Sequence, residues 1–232
     1  MARQRLEHFV GTGLQRYRDR RREPADADGS SRLSAHLRFG QISAAEVARK
    51  ALAHAPAEEA EAFLDEMLTW RELSLNFCTH NAAHTSLASL PLWVQRSMAR
   101  HAGDEREVMY DLSALERAGT HDELWNAGQR ELLETGQMHN AVRMLWGKSL
   151  LLWSASYEEA LRHLIHLNDR YALDGRDPNS YANILWCFGQ FDRPFAARSV
   201  WGTIRPMSLE RAKGKFDVGR YTALWSKGTR AP

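Results

Sequence analysis

Residues 136–153 read G-Q-M-H-N-A-V-R-M-L-W-G-K-S-L-L-L-W, and their apolar positions recur at helical spacing. Val142, Leu145, Trp146, Ser149, Leu152 and Trp153 fall on one face, with Ala141 beside them. The two indoles stand two turns apart, roughly 10 Å of rise. Asn140, Arg143 and Met144 bring an amide, a permanent cation and a soft thioether within one turn of the helix start. A buried helix with tryptophan core residues accounts for the pattern as it stands.

Working outward, the other elements read as helices too. Residues 2–22 form an amphipathic helix with Leu6, Phe9, Val10, Gly13, Leu14 and Tyr17 on one side. Ser43-Ala44-Ala45-Glu46 is a capping box that opens a helix toward His54. Residues 58–80 form a second long helix striped by Ala60, Phe63, Leu64, Met67 and Leu68, which sets Glu66 and Trp70 on a common face. Shorter helices are expected over 90–102 and 110–117. Thr120-His121-Asp122-Glu123 is a capping box, and Gly136 stands where a C-cap glycine belongs. Ser156-Tyr157-Glu158-Glu159 caps the next helix. Asp177 before Pro178 reads as an N-cap followed by proline at the first helical position. Residues 208–225 form a final helix. Alternating β-branched runs are nearly absent, so the fold class expected is all-α, in one domain over 1–232.

Composition bounds the function. The chain has 232 residues, 44% hydrophobic and 26% charged, with a mean hydropathy of -0.52. That suits a soluble globular protein with a substantial core. No apolar run approaches the ~20 residues of a membrane span, and a cytoplasmic location is the default. Cys78 and Cys187 are the only cysteines, which argues against a disulfide framework or a structural zinc site. His163 and His166 are three apart, but no carboxylate follows at catalytic-zinc spacing, so no metal site is expected. Gly11-Thr12-Gly13 lacks the third glycine and preceding strand of a dinucleotide fingerprint.

The net charge of +2 conceals a segregation: +5 over residues 1–50, -9 over 51–136, zero over 137–191 and +6 over 192–232. Basic ends around an acidic middle can build a surface for phosphates, and serve equally well as solvated helix faces. Residues 190–208 mix Arg193, Arg198, Trp201 and Arg205, which suits either a loop that enters opened DNA or a basic surface loop.

Several of these segments share wording with one family. M-H-N-A-V-R-M at 138–144 resembles the flavin-contacting segment of photolyases and cryptochromes. S-R-L-S at 31–34 resembles their phosphate-binding segment, with Ala35 where a proline commonly follows. E-M-L-T-W-R-E-L-S-L-N-F-C at 66–78 and H-D-E-L-W-N-A at 121–127 are similar to class II cyclobutane pyrimidine dimer photolyases. So is N-D-R-Y-A-L-D-G-R-D-P-N at 168–179, except that Arg176 replaces the second acid of the usual D-G-D. The matches cover about residues 15–225 and keep the family's order.

The resemblance implies the multi-helical FAD-binding domain of a class II photolyase, with the family's N-terminal α/β antenna domain absent. It implies FAD as cofactor, with Tyr17, Ser31, Arg32, Leu33 and Ser34 toward the phosphates. Asn140, Arg143, Asn168 and Asp174 would surround the flavin ring system, and Asn179 would be a further cofactor contact. It implies an electron relay of Trp146, Trp125 and Trp153. Trp70 and Trp186 would stack on a flipped pyrimidine dimer, Met144 would line the floor, and Glu66 would bond the base edges. Arg193 and Arg205 would enter the DNA bubble. The expected partner is DNA carrying pyrimidine dimers, met by a monomer. Two other readings remain open: a cryptochrome-like light-sensing or DNA-binding flavoprotein without repair, and an inactive fragment.

Overall fold

The computed structural model describes residues 1–226. Its regular structure is helical; among the described residues the sole β-type pairing is an isolated bridge between Arg198 and Gly202. The all-α expectation is met.

Buried apolar side chains gather in two separate clusters. The first belongs to α1 (Ala2–Gly11), α2 (Tyr17–Arg20), α4 (Ala44–His54) and α5 (Ala57–Leu64), with Leu33 just before α3 (Ser34–Arg38). It is built on Leu6, Phe9, Leu14, Tyr17, Val47 and Phe63. The second and larger cluster centres on α9 (Glu123–Thr135), α10 (Asn140–Trp153), α11 (Tyr157–Tyr171) and α12 (Pro178–Cys187). Between the two runs α6 (Trp70–His80), which packs along α12. Helices α7 (Leu92–His101), α8 (Leu112–Glu116), α13 (Leu209–Ala212) and α14 (Val218–Leu224) close the larger core from outside.

Helix α10 is the hub, and it is buried on nearly every side rather than along one stripe. Met144, Gly147, Lys148, Leu150 and Leu151 are enclosed as fully as the face read from the sequence. Leu150 and Leu151 are wholly buried, and each such side chain contributes ~1.5–3 kcal/mol. A helix apolar all round belongs in the middle of a core.

Three expected helices depart from a single regular α-helix. The first stops at Gly11 because the chain must pass beneath the 26–29 turn. Gly13 lies so close to the Asp28 carbonyl and the Phe9 ring that a Cβ would collide there. A tight 3-10 turn over Gly13–Arg16 then leads into α2, which keeps Leu14 and Tyr17 in the core. The second long helix holds its course but widens to a π turn at Asp65–Thr69, where the Trp70 N–H bonds Asp65 O. The last helix is two short pieces, α13 and α14. The intervening segment folds back so that Phe216 is buried and Asp217 caps α14 by accepting from Arg220 N at 2.9 Å.

Caps were legible with one shift. Ser43, Ser156 and Asp177 accept the N-cap hydrogen bonds expected of them. Helix α9 is capped by Asp122, which accepts from Trp125 N at 2.8 Å, and not by Thr120. The Thr120 hydroxyl is taken by Asn126 Oδ1 at 2.9 Å. Gly136 ends α9 at φ +67°, the left-handed conformation glycine adopts without strain. Among the described residues no helix is long and apolar enough to cross a membrane.

Candidate functional site

The seam between the two cores is polar, and of the expected cofactor residues Ser34, Arg143 and Asp174 meet across it. On one side is the turn 31–34, held from behind by Arg5, which donates to the carbonyls of Ser31 at 2.9 Å and Ser30 at 3.0 Å. Arg32 sits at φ +52°, a conformation that costs a non-glycine residue energy and is retained where surroundings demand it. From the other side come Arg143 on α10 and Asp174 in the loop before α12. Both Arg143 Nη1 and Nη2 reach the Asp174 carboxylate at 3.2 Å. Burial pushes the Asp174 carboxyl up, but Arg143, helped by the Ser34 hydroxyl, outweighs it and holds it below the usual range. Asp174 thereby joins the two sides. Arg38, which donates to Gly175 O, makes a second bridge.

A buried carboxyl underlies this seam. Glu131 is 1% exposed and accepts from Tyr221 Oη at 2.6 Å and from His139 N at 3.3 Å, with Arg32 Nη2 3.8 Å from its other oxygen. Burial raises its pKa, and raises that of Tyr221 as well. His139 caps α10 by accepting from Ala141 N at 3.2 Å, and its ring also meets the backbone of Arg21. Burial, reinforced by the positive Arg32, pushes His139 down to about 4. The imidazole is therefore neutral near pH 7, as an acceptor cap must be.

One turn along α10 from Arg143 begins a row of indoles. Trp146 stacks on Trp125 with centroids 6.0 Å apart and planes 12° from parallel. Trp125 meets Trp153 edge-on at 5.7 Å. All three are buried, and two are anchored: Trp125 Nε1 donates to Trp146 O and Trp146 Nε1 to Gln129 Oε1, both at 3.0 Å. At the far end, Trp153 touches Tyr110 at 5.6 Å and the exposed His121 at 5.2 Å. Tyr110 Oη and His121 Nδ1 are themselves 2.6 Å apart.

The groups expected to meet a substrate are placed as follows. Glu66, in the π turn, pairs with Arg21 at 2.5 Å, both about one-third exposed. Trp70 directly follows the π turn and is 42% exposed. Ser74, one turn on, bonds Trp70 O at 2.7 Å and Asn179 Oδ1 at 3.2 Å, so α6 is tied to the start of α12. Trp186 is half-buried, with Lys148 Nζ 5.4 Å and the Arg205 guanidinium carbon 5.8 Å from its ring. Met144 is buried in the larger core.

The 190–208 segment is an ordered loop. Tyr157, Asp104 and Ser97 grip it: Tyr157 Oη donates to Val200 O, Asp104 accepts from Val200 N at 2.8 Å and Ser97 from Thr203 N at 2.8 Å. Arg193 is exposed and lies over Phe195, 5.6 Å from its centroid. Arg205 pairs through two bonds with Asp192 at 2.8 and 2.9 Å and lies 4.7 Å from the Phe195 ring.

The structure thus gathers Ser34, Arg143 and Asp174, and separately the three indoles. It leaves Asn140 exposed at the start of α10. It turns Tyr17 into the smaller core, edge-on to Phe9 and Phe63, with burial raising its phenol to about 12 and Arg21 and Glu66 beside it. Asn168 is buried at the end of α11, donating to Asp169 Oδ1 at 3.2 Å. Sequence reasoning missed His139, Gln129, Glu131 and Lys148. Gln129 was readable, because it follows Trp125 by one helical turn. Lys148 was a lone charge inside an apolar run.

No family model matches the chain. It is 44% identical over 191 residues to the deoxyribodipyrimidine photo-lyase of Methanothermobacter thermautotrophicus, covering 82% of this chain and 42% of that protein. Its fold is similar to a bacterial class III photolyase from Agrobacterium tumefaciens, with a TM-score of 0.75 at 23% identity over 97% of this chain and 44% of that one. It is similar as well to an archaeal photolyase from Sulfolobus tokodaii, crystallised with two FAD molecules, with a TM-score of 0.64 at 22% identity over 97% and 46%. The chain spans less than half the length of each of these proteins. On this likeness in sequence, repeated in fold, the chain belongs to the photolyase family.

Proposed function

We propose that this chain is the flavin-holding, catalytic helical portion of a class II cyclobutane pyrimidine dimer photolyase, a single domain over 1–232. The full enzyme would carry an antenna domain besides it. The observation that carries the reading is the juxtaposition of the Arg143–Asp174 pair with a row of three indoles that starts one turn away on the same helix.

The residues of the seam fit FAD. Backbone N–H groups and hydroxyls of Ser31 and Ser34, in a turn held open by the unusual Arg32 backbone, suit a pyrophosphate. Arg143, with its charge partly balanced by Asp174, would stabilise a reduced, anionic ring system through charge-assisted contacts. The amide of Asn168 can present either a donor or an acceptor to a ring nitrogen. When bound, FAD would supply the light-driven one-electron chemistry, and the protein position and field.

Trp146, Trp125 and Trp153 would bring electrons inward from the surface near His121. Gln129 and the Trp146 carbonyl anchor two of the rings through their indole N–H groups. A dimer is unreachable inside the duplex, so it must be flipped out. Trp70 and Trp186 offer half-open indole faces for it, and Glu66 offers a carboxylate whose charge Arg21 steadies. Arg193 and Arg205 would occupy the space it leaves.

The test is loss of thymine dimers from an irradiated oligonucleotide under blue light, with FAD and a reductant supplied. Dimer loss that needs both light and flavin supports repair. Flavin binding without dimer loss would favour a light-sensing or DNA-binding role, and absence of flavin binding an inactive fragment.

A further inference from the structure

Lys148 is wholly buried in the middle of α10, an unusual place for an ammonium group. Its Nζ donates to Cys187 O and to Arg205 O, each at 2.9 Å. The first carbonyl belongs to the last residue of α12, where helix carbonyls lack intrahelical partners and favour a cation. The second lies in the arginine loop. Gly147 makes the reach possible, since a Cβ there would come within 2.8 Å of Cys187 Sγ and hold α10 away from α12. The ammonium also lies 5.4 Å from the Trp186 ring and 5.8 Å from that of Trp201. Arg205 places its guanidinium carbon 5.8 Å from the same Trp186 ring while Asp192 holds it.

We propose that Lys148 is a positioning residue for lesion recognition, locking Trp186 and the Arg205 loop in one register. This rests on the reading that Trp186 and Arg205 meet the flipped dimer and the gap it leaves. An indole and a guanidinium that must enter one DNA site together need a shared rigid support. Lys148 bonds the backbone under both.

The cluster also carries a switch in its charge. Burial pushes Lys148 down to about 8, with Arg205 adding to the fall and Asp192 and Cys187 opposing it. The titratable and charged groups that face it are Cys187 from α12 and Asp192 and Arg205 from the loop. Burial raises the Cys187 thiol to about 11. Burial also raises Asp192, but its bonds from Arg205 prevail and hold it below its ordinary range. The bond to Asp192 in turn raises Arg205. Of these four, Lys148 alone changes charge between pH 7 and 9. A neutral amine keeps two donors but loses the charge-assisted strength of its bonds and its attraction to both indoles.

The experiment measures binding of this chain, in the dark, to a thymine-dimer oligonucleotide and to its undamaged twin from pH 6.5 to 9.5. Taking the ratio of the two affinities cancels the general phosphate attraction. The wild-type ratio is expected to fall about tenfold, with its midpoint near pH 8, as charge-assisted bonds become ordinary ones. Lys148→Met should show a low ratio that no longer varies with pH, and Lys148→Arg a ratio that is flat because its charge persists. A Lys148→Met chain that keeps the wild-type ratio and profile overturns the proposal. If that variant fails to fold, the wild-type profile decides: a ratio without a midpoint between pH 7 and 9 overturns it. A wild-type chain that never prefers damaged DNA overturns the functional reading and this proposal together.

Discussion

Arg143 and Asp174, thirty-one residues apart in sequence, meet at 3.2 Å in the seam between two apolar cores. Their side chains are 20% and 15% exposed, so each charge depends on the other. Removing one partner of such a pair leaves an uncompensated, largely buried charge.

Asp174→Ala is expected to cost about 2–4 kcal/mol in urea unfolding and to abolish flavin retention, read as the ratio of 450 nm to 280 nm absorbance. Arg143→Lys should keep much of the stability but lose flavin, because a point charge cannot reproduce the planar fork. A purified Asp174→Ala chain that holds as much flavin as wild type would remove the seam from the cofactor site.

Trp125 stands between Trp146 and Trp153 and touches both. Trp125→Phe should leave FAD binding intact while slowing light-driven reduction of the bound flavin at least a hundredfold. Chain reduced chemically beforehand should still repair normally under blue light. Flavin bleaching under blue light with a thiol reductant follows the first, and dimer loss after dithionite the second. Equal bleaching in wild type and variant would discard the relay.

His139 makes the fold sensitive to acid. Its folded pKa is about 4, against roughly 6.5 for an unperturbed histidine. Between those values the unfolded chain binds a proton that the folded chain refuses, so stability falls as pH drops from 6.5 toward 4. The loss should approach about 3 kcal/mol. His139→Asn keeps an acceptor at the N-cap without the titration, and its urea midpoint should fall less between pH 7 and pH 5. Parallel midpoints for the two chains would show that the imidazole is not responsible.

Glu66 and Arg21 form a half-open ion pair at 2.5 Å. Such pairs contribute little to stability, so Glu66→Gln should shift unfolding by less than about 1 kcal/mol. The same change should weaken binding of dimer-containing DNA about tenfold and leave undamaged DNA unaffected, as loss of a hydrogen bond to the base edges requires. Anisotropy titrations of both oligonucleotides distinguish a lesion contact from a general one.

The sequence by itself determined the helical class, because 3.6-residue apolar periodicity is a local property and strand alternation is missing. It determined the caps at Ser43, Ser156 and Asp177 and the stop at Gly136, where one side chain or one missing Cβ satisfies the nearest backbone. The motif wording also named Arg143, Asp174 and the three indoles before any contact was visible. Only the tertiary structure decided where helices break or widen: Gly13 yields to the Asp28 carbonyl, and the turn at Asp65–Thr69 takes on an extra residue within an unbroken apolar stripe. Only it revealed Lys148 and Glu131 as buried polar centres, since each is satisfied by groups far along the chain that no local pattern encodes. Short-range backbone geometry is written in neighbouring residues, whereas a buried charge is defined by whatever long-range packing brings to it.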